Sequence, residues 1–208
     1  MADSFYRPEF LYQYTTVETL ALILKSHTIK FNSLINVDDM EEAKGEDVDI
    51  AGKLVFVSCW TDSKEENIAL WNMYANKMKG IRIALPVYPF SVNKKSVEEQ
   101  ADKFNLSLIE YSQSIISLPE NVCLWEDNKI DYYQLREITY TDDEKKLFPI
   151  LLKKNDEDKI SLRNLELGTN KRKCWEFQRE WRYLIYLGYR FNEGKADIQS
   201  LKAQLYEK

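Results

Sequence analysis

Phe10-Leu-Tyr-Gln-Tyr-Thr-Thr-Val-Glu-Thr-Leu-Ala-Leu-Ile-Leu-Lys-Ser-His-Thr-Ile-Lys-Phe-Asn32 changes its hydrophobic period twice. Phe10, Tyr12 and Tyr14 alternate with Leu11 and Gln13, the two-residue period of a strand. Thr16 then stands as an N-cap, and Val17, Leu20, Ala21 and Leu24 recur at helical spacing. Thr28–Asn32 returns to alternation and predicts a second strand. A strand–helix–strand opening with an apolar helix stripe needs a sheet to bury that stripe, so an α+β fold is expected.

The remainder extends the pattern. Leu54–Trp60 is strongly β-like, and Ile81–Leu85 reads as a strand ended by Pro86. Between them the spacing predicts a helix from Glu65 to Met78, capped by Asp62 or Ser63 and closed by Gly80. Ser96–Phe104 has a helical pattern, Leu106–Tyr111 fits either strand or helix, and Asp131–Tyr133 and Arg136–Tyr140 suit strands. Helices are expected from Asp142 or Asp143 to about Lys154, and from about Asp158 to Leu167. In Glu180–Leu187, Glu180, Arg182, Leu184 and Tyr186 share one face, with Trp181, Tyr183, Ile185 and Leu187 on the other. With no repeat and no linker, residues 1–208 are read as one α+β domain with a mixed or mostly antiparallel sheet and flanking helices.

Composition narrows the function. The chain has 34 acidic and 29 basic residues, for a net charge of -5. That balance argues against a general nucleic-acid coating protein, whose affinity comes from neutralising phosphates. Seven carboxylates between Asp38 and Asp49 repel one another and are expected to form a solvated surface loop. Lys171-Arg172-Lys173 is read as an exposed turn or a small basic patch. Three scattered cysteines and one histidine leave a zinc site almost no ligands, so no metal is expected. Cys59, on a β run, reads as a buried thiol, and His27 as a turn residue. No apolar stretch has membrane-spanning length, and a cytoplasmic location with no membrane partner is expected.

Two blocks carry the remaining chemistry: Trp71-Asn-Met-Tyr74-Ala75-Asn-Lys-Met-Lys-Gly80 and Trp175-Glu-Phe177-Gln178-Arg-Glu180-Trp181-Arg182. Both set aromatic rings beside charged or hydrogen-bonding groups, which must be paired or solvated. Together with Leu11–Phe31, with Asp38-Asp39-Met40-Glu41-Glu42 and with Ser58-Cys59-Trp60-Thr61, they resemble a widespread bacterial and phage family of unknown function. That family has an Asn-Asp-Pro-aromatic-Glu turn, a Trp-x-x-Tyr-Ala-x4-Gly block and a Trp-x-Tyr-Glu-x-Glu-Trp-Arg block. This chain departs from it at Gln178, where the family has Glu, and at Met40-Glu41, where it has Pro-aromatic.

The order of these pieces is more distantly similar to the ADP-ribosyltransferase fold. That resemblance implies NAD as the substrate, with Glu180 as the catalytic carboxylate and Gln178 two residues before it. It also implies cofactor-binding roles for Tyr12 or Gln13, for Ser58 or Tyr74, for Trp71, and for Arg82 or Arg182 at the phosphates. Cleaving the nicotinamide–ribose bond builds positive charge on the ribose, which a fixed carboxylate stabilises. The function it implies is an NAD-using ADP-ribosyltransferase-like or NAD-glycohydrolase-like protein of bacterial or phage defence or toxin type. Its partners would be a nucleotide-like small molecule and a protein or nucleic-acid acceptor. The alternative is a non-enzymatic module of phage–host conflict that binds a nucleotide or a protein. The plainer reading of Glu180 and Arg182 is cross-strand ion pairing, and of Trp71, Tyr74, Trp175 and Trp181 it is core packing.

Overall fold

The Phe10–Thr15 run forms strand β1, and Thr16 caps helix α1 (Val17–Ser26) by accepting the Thr19 backbone N–H at 3.1 Å. The structure is a computed structural model and describes residues 7–87, 89, 122–124, 134–154, 160–162 and 164–189. Next come β2 (Asn32–Ser33), β3 (Val55–Thr61), α2 (Ile68–Tyr74) and β4 (Ile81–Pro86). They are followed by β5 (Val122–Leu124), β6 (Gln134–Glu137), β7 (Thr139–Tyr140) and helix α3 (Glu144–Leu147). The described elements end with β8 (Leu152–Lys154), β9 (Ile160–Leu162), β10 (Asn170–Lys171) and β11 (Glu180–Tyr189).

Seven strands form one antiparallel sheet in the order β4-β1-β3-β11-β5, with β2 on β3 and β6 on β11. Two further ladders are short, β8 with β9 antiparallel and β10 with β7 parallel. The fold is α+β with a mostly antiparallel sheet, as the opening segment implies. β11 is the spine: it pairs with β3 from Glu180–Thr61 to Tyr186–Val55, and with β5 and β6 along its other edge.

The two faces of β11 feed different cores. Leu184 and Tyr186 pack with Leu34, Val55, Val57, Leu151 and Leu167. Trp181 and Tyr183 pack with Leu11 and Trp60, under Ile29, Phe31 and Ile83. The expected alternation thus separates Trp181 and Tyr183 from Leu184 and Tyr186, whereas Leu187 and Ile185, expected on the Trp181 face, join the Leu184–Tyr186 cluster.

One discontinuity positions the site. β1 pairs with β4 along its whole length but meets β3 at a single register pair, Tyr12 with Thr61. Past that point the two strands part, and the Gln13 side chain spans the gap by donating Nε2–H to the Cys59 carbonyl at 3.0 Å.

Several expected elements are shorter or different. Residues 28–31 do not form a strand; β2 starts at Asn32, while Ile29 and Phe31 serve as core packing. The α1 stripe is not buried: Val17 and Leu24 stay exposed and Leu20 is only half-buried. The cap of α2 is Asn67, not Asp62 or Ser63, with its side chain accepting from Ala69 and Leu70 N–H. The helix stops at Tyr74 because Asn76, Lys77 and Met78 are left-handed, at φ 47°, 53° and 69°. In place of a helix to Lys154, Asp143 caps only α3, and Pro149 and the β8–β9 ladder follow. Asn164–Glu166 is a 3-10 turn rather than the end of a longer helix. The readings at Ser96–Phe104, Leu106–Tyr111 and Asp131–Tyr133 fall outside the described residues.

The conformation of the first sequence block has a steric cause at its end. Gly80 donates its N–H to the Ala75 carbonyl at 2.7 Å, and Ala75 is fully buried. A Cβ on Gly80 would lie 2.2 Å from the Thr15 carbonyl oxygen and 2.8 Å from Ala75 Cα, both backbone atoms that cannot swing aside. Gly80→Ala is expected to cost about 1–3 kcal/mol through overpacking, read as a lower urea midpoint. An unchanged midpoint would show that β1 and α2 are free to separate there.

Candidate functional site

Two buried acids and two buried bases meet on one side of the sheet, beside the β1–β3 gap. Arg182 projects from β11 beneath Cys59 of β3 and is 1% exposed. Its Nε donates to Glu180 Oε1 at 2.6 Å and its Nη2 to Glu180 Oε2 at 3.0 Å. Nη1 donates to Glu42 Oε2 and, at 3.1 Å, to the Gly168 carbonyl, while Nη2 also reaches Glu42 Oε1 at 3.1 Å. All five guanidinium donors are therefore used.

Lys171 closes the cluster from β10. Its Nζ donates to Gln178 Oε1 at 2.8 Å and Glu180 Oε2 at 3.1 Å, and lies 3.3 Å from Glu42 Oε1. The Trp175 ring covers it with Nζ 4.6 Å from the centroid, a cation–π contact that keeps water away. Glu42, Glu180, Lys171 and Arg182 sum to zero charge, which is what makes their burial tolerable.

Local backbone geometry brings Gln178 and Glu180 to the same partner. A 3-10 helix over Lys173–Gln178 ends at Arg179, which is left-handed at φ 44°. Arg179 turns outward to Asp62, at 2.9 and 3.1 Å. The chain then enters β11 with Glu180, whose backbone N–H donates to the Tyr140 hydroxyl at 2.8 Å. Gln178 uses its other end to donate Nε2–H to the Tyr74 hydroxyl at 2.8 Å, linking α2 to the cluster.

A cavity of about 280 Å³ opens in the β1–β3 gap above this cluster. Tyr12, Gln13, Tyr14, Ser58, Cys59, Trp60 and Thr61 form its strand walls. Tyr74, Lys171, Gln178, Glu180 and Arg182 form its floor, and Lys30, Asn32, Asn36 and Asp38 its rim. Half-buried and buried tyrosines thus share the cavity with amide, hydroxyl and carboxylate groups.

The predicted site residues divide cleanly. Tyr12, Gln13, Ser58, Tyr74, Gln178, Glu180 and Arg182 converge on the cavity. Trp71 does not line it: its ring packs edge-on against Tyr14, at 5.1 Å and 82°, as the packing reading has it. Arg82 does not line it either. Its guanidinium lies 4.0 Å over the Tyr12 ring and donates to the Ser63 and Lys64 carbonyls at 2.5 and 3.0 Å. Arg182 lines the floor, but with every donor spent it has none for a pyrophosphate. Ser58 Oγ accepts from the Trp60 indole at 2.9 Å.

Two residues in the cluster were not anticipated, because both come from segments expected to face water. The acidic run is not a solvated loop: Glu42 and Asp39 are buried, and Asp47 accepts from Leu151 and Leu152 N–H at 2.9 and 2.8 Å. Likewise Lys171 is 3% exposed rather than part of a surface turn. The signal that points to Glu42 is its place as the Glu closing the altered Asn-Asp-Pro-aromatic-Glu turn. Glu41 and Arg172 extend the same pairing to the surface, at 2.5 Å.

These charges set the electrostatics. Burial pushes the Glu180 carboxyl up, but the adjacent Arg182 and Lys171 charges outweigh it and hold the group at about 2. Burial raises the Tyr74 hydroxyl above its ordinary value, with Asp38 adding to the shift. The Cys59 thiol is also pushed up, by burial and then by the Glu180 charge, which opposes a thiolate nucleophile. Among the described residues no group of three or more His, Cys, Asp and Glu side chains is placed to hold a metal ion. No described helix is long and apolar enough to cross a membrane.

Comparison with protein-family models, with curated proteins and with solved structures returned no match.

Glu42→Gln removes one carboxylate from a buried cluster and leaves Arg182 and Lys171 under-compensated. The expected loss is about 3–5 kcal/mol in urea unfolding; a loss under about 1 kcal/mol, the range of exposed pairs, would contradict the burial. Glu180 supplies a pH signature. Its folded value lies below its ordinary 4.5, so its stabilisation is present above pH 4.5 and drains away as pH falls toward 2. The expected loss across that window is about 3 kcal/mol. Glu180→Gln should flatten this part of the stability profile, and an equally steep profile in the variant would refute the assignment.

Proposed function

We propose that the β1–β3 cavity binds the nicotinamide–ribose end of NAD, and that the chain is an ADP-ribosyltransferase-like or NAD-glycohydrolase-like protein. The observation that supports this reading is the convergence of the separated segments at residues 12–14, 58–61, 74 and 178–182 on one cavity. Its volume of about 280 Å³ suits a nicotinamide ribose rather than a whole dinucleotide, so the adenosine half would lie outside. The tyrosine rings offer faces for a flat cation, and the amide and hydroxyl side chains offer partners for ribose hydroxyls and a carboxamide. Lys30, exposed at the rim, is the lining cation outside the buried cluster and in this reading would meet a phosphate. The resemblance to the bacterial and phage family supports a defence or toxin role, with a protein or nucleic acid as acceptor.

A specific observation favours a second reading. Both Glu180 oxygens are taken by Arg182 and Lys171, so this carboxylate is not free to hold ribose hydroxyls. A non-enzymatic module that binds a nucleotide or protein at the same cavity accounts for that pairing equally well.

Purified protein incubated with NAD separates the two. The enzymatic reading expects nicotinamide release above the uncatalysed rate, abolished by Tyr74→Phe combined with Gln178→Ala at the cavity floor. Saturable NAD binding without nicotinamide release assigns the module. Neither binding nor release at millimolar NAD rejects NAD as the ligand.

A further inference from the structure

We infer that the cavity selects its ligand through an uncharged carbonyl oxygen, which the hydroxyl groups of Tyr14, Thr61 and Tyr74 hold by donating to it. That chemistry is common to a carboxamide, a lactam and a nucleobase carbonyl. It therefore goes beyond the choice of NAD, and holds whether the chain cleaves its ligand or only binds it.

Strand register puts the three hydroxyls on one side of the sheet. Thr61 of β3 lies opposite Tyr12 of β1 and Glu180 of β11, and residues paired in this way project from the same face. Tyr14, two residues beyond Tyr12, projects with them. Tyr74 reaches the same side from α2, where Leu70 and Ala75 pack on Tyr14. All three residues line the cavity, and Tyr14 and Thr61 are 6% and 4% exposed.

Each of these hydroxyl oxygens accepts an N–H group. Tyr14 accepts from the Asn67 backbone at 2.9 Å, Thr61 from the Ser63 backbone at 3.2 Å and Tyr74 from Gln178 Nε2 at 2.8 Å. The last direction is fixed, because Gln178 Oε1 accepts from Lys171 and leaves only its amide nitrogen for Tyr74. A hydroxyl that has accepted an N–H keeps its own proton to give. Among the described residues, none of the three protons has an acceptor within hydrogen-bond distance. Burial keeps the Tyr74 proton in place by raising that hydroxyl above its ordinary value.

The buried acceptors nearby are already committed. Both Glu180 oxygens take hydrogen bonds from Arg182 and Lys171, and Gln178 Oε1 takes one from Lys171. A ligand that brings an acceptor satisfies the buried donors. One that brings an ammonium sets N–H against O–H and leaves both unpaired. The charge of the acceptor follows from the cluster below it. Glu42, Glu180, Lys171 and Arg182 balance one another, so no buried cation is left to neutralise a carboxylate or phosphate. A carbonyl oxygen meets both conditions: it accepts hydrogen bonds and brings no charge.

The test titrates the full chain with benzamide, benzoate, benzylamine and toluene, which share a ring and differ in the group it carries. Benzamide should bind at least about tenfold more tightly than each of the others, followed by NMR. Thr61→Val and Tyr74→Phe should each weaken benzamide binding about three- to tenfold. Thr61→Ser, which keeps the hydroxyl, should retain it, and Tyr74→Phe supplies the answer if Thr61→Val does not fold. Benzylamine or toluene binding as well as benzamide overturns the donor assignment, and tighter benzoate binding overturns the uncharged one. No benzamide binding, or an affinity that neither substitution moves, overturns the proposal outright. NAD bound with an affinity that both substitutions leave unchanged also overturns it while the NAD reading stands. The expected benzamide ranking without any NAD binding supports the carbonyl assignment and rejects NAD.

Discussion

The Arg182 guanidinium, deep in the sheet, constrains the rest of the molecule. An arginine in that position has to find acceptors for five N–H groups without water. It finds them in Glu180 on its own strand, Glu42 from the acidic loop and the Gly168 carbonyl. Lys171 then offsets the second acid. Segments at residues 42, 168–171 and 178–182 are thereby fixed to one point, and the wall and floor of the cavity follow from that fixation. A hydrophobic core would bury the same face at less risk. What the ionic cluster adds is a set of directional bonds that orient Gln178, and through it Tyr74.

The cavity exists because the sheet does not close. β1 keeps its full ladder with β4 and only one pair with β3. Backbone edges and side chains of two strands consequently face a void instead of each other. Gly80, jammed against Thr15 and Ala75, holds α2 and its Tyr74 to the far side of that gap. The second sequence block and Tyr74 of the first both reach the floor, which explains why aromatic and charged residues are mixed in both.

The fold was legible where periodicity was unambiguous. β1, β3, β4 and β11 are long enough, and alternate clearly enough, to be read from residues alone, and Thr16 identifies itself as a cap. Short elements were not: the expected helix after Asp143 fails at Pro149, and the α2 boundaries depend on Asn67 and on three left-handed residues that no period reveals. Of the residues the resemblance singled out, Tyr12, Gln13, Ser58, Tyr74, Gln178, Glu180 and Arg182 line the cavity. Trp71 and Arg82 do not line it, because a residue beside a lining residue in sequence can face away from it in space. Glu42 and Lys171 were missed for a different reason. A carboxylate in an acidic run and a lysine in a basic run look solvated until tertiary structure brings the two runs together.

A crystal structure grown with NAD is the most direct measurement. It should show the nicotinamide ribose between β1 and β3, against the tyrosine rings, with Arg182 still bonded to Glu42 and Glu180. A dinucleotide bound elsewhere would contradict the place of the site, and an Arg182 released from its acids to grip the phosphates would contradict its buried, structural role.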